Sequence, residues 1–179
     1  MPKLFTVYLG GNAPRANTEL HDVVFVCGEA IEETYDALLA AWFGSPRGLH
    51  IDSWIELDVV DGYRISLAEA PRVCEDRLYF VNLGAYRRDE FTELHANRFL
   101  VARSAADAKL RAKREWRSPD VETVHKDNVA EVDACLELAM IGRLHVVLTH
   151  TGETSKLRPD NRYHPIPKPV VAAYVARMR

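Results

Sequence analysis

The chain carries one segment twice, because the tetrapeptide Thr18–His21 returns letter for letter at Thr92–His95. The same offset of 74 positions matches Leu4 with Leu78, Val7 with Val81, Gly10 with Gly84, Phe25 with Phe99 and Trp42 with Trp116. One inserted residue then extends the match at an offset of 75, which pairs His50, Asp52, Glu56 and Asp58 with His125, Asp127, Glu131 and Asp133. A repeat at a fixed interval indicates a duplicated structural unit.

The repeat divides the 179 residues into four parts. We expect a first copy at 1–67, a linker at 68–77, a second copy at 78–149 and a proline-rich segment at 150–179 with a short helix near its end. A unit of about 70 residues buries little surface by itself. The two copies are therefore expected to share a core as one compact domain related by a pseudo-twofold.

Each copy has the same order of predicted elements. The first has strands at 4–9 and 20–27, an amphipathic helix at 31–43, a strand at 50–59, and a strand at 63–67 after the turn pair Asp61-Gly62. The second has strands at 78–84 and 94–102, a helix at 105–116 capped by Ser104, and strands near 129–132 and 144–149, and its second hairpin is expected to differ from the first. A ββαββ pattern written twice predicts an α+β fold with helices packed on largely antiparallel sheet.

Two glycines follow the first predicted strand, at Gly10 and Gly11. They lack the spacing of a phosphate-binding loop and do not open a helix, so we interpret them as a tight turn that ends the strand.

Composition narrows the setting of the protein. The three cysteines are scattered, with no paired spacing, and the N-terminus lacks a secretion signal, which indicates reduced thiols and a cytoplasmic location. No apolar run approaches the length needed to cross a bilayer. The sequence pI of about 6.2 makes nucleic acid an unfavoured partner, although the second predicted helix is basic.

The polar residues kept in both copies are the candidate functional residues. Strand two carries Glu19 and His21, and the next strand carries His50 and Asp52. Alternate residues of a strand share one face, so Glu19 is expected to hydrogen-bond His21 and orient its ring. If His50 and Asp52 approach across the sheet, the set suits Zn²⁺ or a similar divalent ion. The corresponding candidates in copy two are Glu93, His95, His125 and Asp127.

A structural role for the histidines is the favoured interpretation. His21 shares its predicted strand face with Val23 and Phe25, which have the character of core residues. A buried histidine that bonds a carboxylate or a backbone group fixes strand register. The sequence therefore predicts that His21 and His95 face Phe25 and Phe99, with a metal or general-base role as the alternative.

The run 19–26, the helix ending in Trp42-Phe43-Gly44, the stretch 50–54 and the closing 60–63 resemble the uncharacterised bacterial domain family DUF1543. The resemblance covers 4–67 closely and 78–148 more loosely, since copy two departs around 125–129 and 134–142. It implies one or two copies of the module per chain and no activity.

Two functional hypotheses follow from the residues. The first is a binding module without enzymatic activity, which holds a small ligand or a protein at the junction of the copies, where concave surfaces form. The second is a metal-dependent or acid–base enzyme of hydrolase type that uses Glu19, His21, His50 and Asp52. The chain is expected to be either a monomer with pseudo-dimeric repeats or a homodimer.

Overall fold

A computed structural model describes residues 1–86, 89–116, 131–154 and 156–178. The first copy consists of β1 (Lys3–Gly11), β2 (Leu20–Gly28), a 3-10 turn (Ile31–Thr34), α1 (Tyr35–Ala41), β3 (His50–Glu56), β4 (Val59–Val60) and β5 (Tyr63–Ala68). The second consists of β6 (Arg77–Tyr86), β7 (Glu93–Ala102), α2 (Ala105–Glu115), β8 (Glu131–Glu137), β9 (Met140–Ile141) and β10 (Leu144–His150), and β11 (Asp160–Pro165) and α3 (Lys168–Arg177) follow. The α+β fold with two tandem ββαββ copies is confirmed.

All strand pairing among the described residues is antiparallel. In each copy the first strand lies in the middle: β1 pairs with β2 and β3, and β6 pairs with β7 and β8. The copies are joined through β5 and β10, where Ile65 lies opposite Leu148 and Leu67 lies opposite Val146. These two pairs are equivalent under exchange of the copies, so the pseudo-twofold passes between Ser66 and its opposite residue, Val147.

Strand alternation sends the two faces of each sheet into different cores. Phe5, Val7 and Leu9 of β1 pack with the apolar stripe of α1, in which Leu38 is fully buried. Leu4, the residue before Phe5, points to the opposite face of the sheet, into a cluster shared with Leu78, Phe80 and Val101 of the second copy. A third cluster packs α2 on the outer face of β6. The shared cluster is the contact that holds the two copies together.

The two tryptophans matched by the repeat terminate equivalent helices. The Trp42 N–H donates to Leu38 O and the Trp116 N–H donates to Ala112 O, each at 3.0 Å. At the other end of α2, the Ser104 hydroxyl accepts from the Asp107 N–H at 3.2 Å, so the predicted N-cap is confirmed.

The C-terminal segment adds to the first copy. Strand β11 pairs with β3, with Pro165 opposite His50 and Asp160 opposite Trp54. Helix α3 packs near α1, and Arg177 of α3 bonds Asp36 of α1 at 2.7 Å. Sheet β11-β3-β1-β2 therefore has four strands, whereas β7-β6-β8 has three among the described residues. No helix of the described residues is long and apolar enough to cross a bilayer.

The predicted register of the later repeat is wrong. Gly10 lies opposite His50, and its counterpart Gly84 lies opposite Glu131. The offset beyond the tryptophans is therefore 81 (131 − 50), so seven residues rather than one are inserted before β8. Consequently His125 and Asp127 are not the counterparts of His50 and Asp52, and both lie outside the described residues.

Two local predictions were also wrong. The second hairpin differs from the first as expected, since β10 has seven residues and β5 has six, although β8 and β9 have the same lengths as β3 and β4. The segment 50–59 is interrupted, because β3 ends at Glu56 in its pairing with β1 and β4 begins at Val59 in its pairing with β5. Gly10 and Gly11 do not form a turn after β1 but are its last two residues, opposite His21 and Leu20.

Candidate functional site

A β-bulge occurs at the same place in both copies. Leu9 pairs with Ile51 and Tyr8 with Ser53, which leaves Asp52 as the extra residue of β3. In copy two, Leu83 pairs with Val132 and Asn82 with Ala134, which leaves Asp133 as the extra residue of β8. Bulges re-aim a side chain and are common beside functional sites. An aspartate is therefore directed onto the same sheet face as the β2 or β7 histidine in each copy.

In the first copy, two imidazoles and two carboxylates meet above Gly10. The His50 Nε2 lies 3.0 Å from Glu19 Oε1 and 3.4 Å from Asp52 Oδ1, and the His21 Nε2 lies 3.3 Å from Asp52 Oδ2. The four sequence-predicted residues are thus brought together. Their pairing differs from the expectation, because Asp52, rather than Glu19, contacts His21.

The hydrogen bond of the other His50 nitrogen fixes the chemistry of this ring. Nδ1 lies 2.9 Å from the Gly48 carbonyl oxygen, which can only accept, so Nδ1 carries a proton. Nε2 is then either protonated as part of an imidazolium or presents a lone pair toward two carboxylate oxygens. Metal-ligating histidines characteristically donate their second ring N–H to a backbone carbonyl or a carboxylate in this way.

The glycine beneath the cluster leaves no room for a side chain. A Cβ built on Gly10 would lie 2.5 Å from both Asp52 Oδ2 and His50 Nε2. Asp52 Oδ2 is itself buried, and its 3.3 Å contact with His21 Nε2 lacks the geometry of a hydrogen bond. A buried carboxylate oxygen without a hydrogen bond is costly unless a cation or donor completes it.

The second copy has the same arrangement with fewer described groups. Glu93, His95 and Asp133 offer ligand atoms that all lie within 4.8 Å of one another. The His95 Nε2 lies 3.5 Å from Glu93 Oε2 and 3.7 Å from Asp133 Oδ2. A Cβ on Gly84 would lie 2.5 Å from Asp133 Oδ2 and 2.6 Å from Glu93 Oε1, so this glycine is constrained as Gly10 is.

The prediction that the strand-two histidines belong to the core is wrong. The His21 side chain is 40% exposed and that of His95 is 46% exposed. Val23, Phe25 and Cys27 do pack into the shared cluster, so the predicted strand face is correct. The strand continues beyond the end of that cluster, and His21 lies on the part that reaches solvent. The buried histidine is instead His50, at 5% exposure.

Two aromatic residues absent from the predicted site complete it. The Tyr8 ring stacks on His21, with centroids 5.3 Å apart and planes at 16°. Burial raises the pKa of Tyr8, and the nearby Asp52 charge raises this pKa further. The Tyr163 ring of β11 lies 4.5 Å from the His50 ring. Tyr8 could have been inferred from strand alternation, since it shares a face with Gly10, but nothing in the repeat points to Tyr163.

Asp133 was the functional residue most clearly missed. The sequence match at offset 75 paired it with Asp58, although its bulge and its contact with His95 make it the counterpart of Asp52. The available signal was the pair Val132-Asp133, which has the same apolar–acidic order as Ile51-Asp52.

The comparisons with known proteins agree with the duplicated fold. A solved structure, that of a protein Il1583 from Idiomarina loihiensis, is 38% identical over 94% of this chain and 99% of its own, with a TM-score of 0.74. No curated protein matches the chain. The family model of a Domain of Unknown Function, DUF1543, matches twice, at residues 16–67 and 90–140. The chain therefore belongs to the DUF1543 family and carries two tandem copies of its domain.

Proposed function

We propose that each copy binds one divalent transition-metal ion, of which Zn²⁺ is the type, through its glutamate, its strand-two histidine and its bulge aspartate. The observation that carries the proposal is the convergence of Glu93, His95 and Asp133, whose ligand atoms all lie within 4.8 Å of one another. The equivalent residues of copy one, Glu19, His21 and Asp52, are joined by His50, whose Nδ1 donates to Gly48 O and whose Nε2 is directed at two carboxylates. A cation among these groups would satisfy the His50 Nε2 lone pair and Asp52 Oδ2 together.

The donor spacing suits such an ion. Zn²⁺ bonds nitrogen and oxygen at about 2.0–2.2 Å, which separates neighbouring tetrahedral donors by about 3.3–3.6 Å. The three donor contacts in copy one are 3.0, 3.3 and 3.4 Å, and those of His95 in copy two are 3.5 and 3.7 Å. Mixed imidazole and carboxylate donors favour zinc and similar transition metals over calcium or magnesium.

The two copies would use the ion differently. Copy one supplies four donors, Glu19, His21, His50 and Asp52, which contact one another in pairs and would have to move together to fill a tetrahedral shell as in a structural site. Copy two supplies three described donors, Glu93, His95 and Asp133. Three protein ligands leave a position for water or for a ligand, which is the arrangement of a site that binds or activates a small molecule.

A metal-free acid–base site is the second candidate. Its support is the contact between His21 and Asp52, since a carboxylate beside an imidazole orients the ring for proton transfer. Metal binding is preferred because the same glycine, bulge and aspartate recur in copy two, where the backbone register puts Glu131 at the position of His50.

Titration with Zn²⁺ tests the proposal. EDTA-stripped protein should bind two equivalents of Zn²⁺ in competition with a chromophoric chelator. His95→Ala, which leaves two donors in copy two, and the His21→Ala/His50→Ala double variant, which leaves two donors in copy one, should each bind one equivalent, and the triple variant should bind none. His145→Ala is the matched control, because this histidine lies on β10 opposite Ala68 and belongs to neither cluster. Absence of binding to the parent, or equal binding by parent and triple variant, would refute the metal sites.

The packing of the two copies supports a proposal on the domain organisation of the chain. Residues 1–67 and 78–149 form one folding unit through the shared cluster, and 150–179 complete its first copy. The pairing of β5 with β10 satisfies the pseudo-twofold within one chain, which favours a monomer. The three free cysteines favour the reducing cytoplasm as its location. Sedimentation equilibrium at the mass of one chain is the expected result, and the mass of two chains would contradict the proposal.

A further inference from the structure

A large cavity lies beside the first cluster and is built by the C-terminal segment. It has a volume of about 570 Å³ and lies between the start of β3, the end of β11 and one face of α3. Its apolar wall includes Leu49, Ile166 and Val171, all at least nine-tenths buried. Pockets of this size accept small organic ligands.

The charged residues that line this cavity are all positive. Arg47 and Lys168 both line it, and no carboxylate appears among its described lining residues. Neither cation makes an ion pair with a described residue. Arg177, which lies near the other end of α3, is by contrast paired with Asp36. Two unpaired cations at an apolar wall complement an anion that has an apolar body.

The cavity also adjoins the proposed metal site. Gly48 lines the cavity, and its carbonyl accepts the His50 Nδ1 hydrogen bond. Gly48 has a φ of +82°, a conformation that L side chains rarely adopt, so the loop that joins cavity and site is specified by glycine. Tyr163 lines the cavity too, and its ring lies against His50.

We propose that this cavity binds a small amphipathic carboxylic acid, with its apolar chain along Leu49, Ile166 and Val171 and its carboxylate paired with Arg47 and Lys168. The binding does not require the metal ion. The aliphatic wall suits a saturated chain, and the cations select the carboxylate over an alcohol or an amine of the same length.

Binding of decanoate, with decanol as the uncharged comparison, tests the inference. The measurements are made in EDTA, so that metal coordination cannot contribute, by displacement of a fluorescent apolar probe. Two exposed ion pairs are worth about a 2- to 30-fold preference together. The parent protein should prefer decanoate within that range, and the Arg47→Gln/Lys168→Gln double variant should bind both compounds equally.

A pair of tryptophan variants tests the location. Ala172 lines the cavity and the neighbouring exposed Ala173 does not, so Ala172→Trp should reduce decanoate binding at least tenfold while Ala173→Trp leaves it unchanged. Circular dichroism checks the fold of both, and the charge variants carry the test if Ala172→Trp unfolds. Equal binding of decanoate and decanol by the parent, or full binding by folded Ala172→Trp, would overturn the inference. So would a dimer that Ala172→Trp dissociates, since a second copy would then fill the cavity.

Discussion

Replacement of Gly10 by alanine should destabilise the protein and weaken metal binding together. The new Cβ would lie 2.5 Å from Asp52 Oδ2 and from His50 Nε2, closer than the 3.0 Å that real Cβ contacts respect. His50 is 5% exposed, so its ring has little freedom to withdraw. Forced overpacking costs about 1–3 kcal/mol. Removal of a strand glycine returns about 0.5–1 kcal/mol. The difference is about 0–2.5 kcal/mol, so the free energy of unfolding is expected to fall by about 1 kcal/mol.

The assay is urea and thermal unfolding of parent and Gly10→Ala in EDTA, followed by Zn²⁺ titration of the folded proteins. A loss of about 1 kcal/mol lowers Tm by about 2–4 °C in a protein of this length. Displacement of donors should weaken Zn²⁺ binding in copy one about 10- to 100-fold, as loss of supporting contacts does in other metal sites.

Gly11→Ala is the matched control, because its Cβ would meet Trp42 and Leu49 on the opposite face of the same strand. It should alter stability while leaving Zn²⁺ affinity unchanged. An unfolding free energy for Gly10→Ala equal to or above that of the parent would refute the steric reasoning, since a strand glycine without constraint gains stability on replacement.

Three further results are expected. Ser104→Ala should lower the unfolding free energy by about 0.5–2 kcal/mol in urea denaturation, because it removes the N-cap of α2. Asp61→Ala should cost about 1–3 kcal/mol in the same assay, because it leaves the Val101 N–H of the other copy without its 2.8 Å partner. The hydrogen bond from Arg162 lowers the pKa of Asp160 to about 2, so this carboxylate stabilises the fold fully above its usual pKa of 3.8 and loses that contribution as the pH falls toward 2. Between pH 5 and pH 2, the free energy of unfolding of Asp160→Asn should accordingly fall less steeply than that of the parent. An identical dependence on pH in the two proteins would contradict the assignment.

Much of the fold follows from local patterns in the sequence. The offset of 74 between the copies holds wherever packing fixes the lengths of strands and helices. It relates the strand pair Leu4–Cys27 to the pair Leu78–Val101, and it relates the two tryptophans that end the helices. It fails after Trp116, where 14 residues separate the tryptophan from β8 and seven separate Trp42 from β3. A longer loop costs little free energy, so the number of residues between helix and strand is free to differ between the copies. The sequence match at an offset of 75 is therefore not the one that the strand pairing uses.

The candidate site was predictable by residue type but not by geometry. Alternation correctly put His21 on the face of Val23 and Phe25, yet burial depends on where the opposing sheet ends, which is a tertiary property. A bulge cannot be read from alternation, because it is the place where alternation breaks. The directions of Asp52 and Asp133 therefore emerged only from the pairing with β1 and β6.

Anomalous X-ray diffraction from crystals grown with Zn²⁺ tests the central claim most directly. Data collected on both sides of the zinc absorption edge should show two peaks per chain. One should lie about 2.0–2.2 Å from His50 Nε2 and His21 Nε2, and the other at the same distance from His95 Nε2. Crystals with no zinc peak in either cluster, or with peaks only at surface histidines such as His145, would contradict the account.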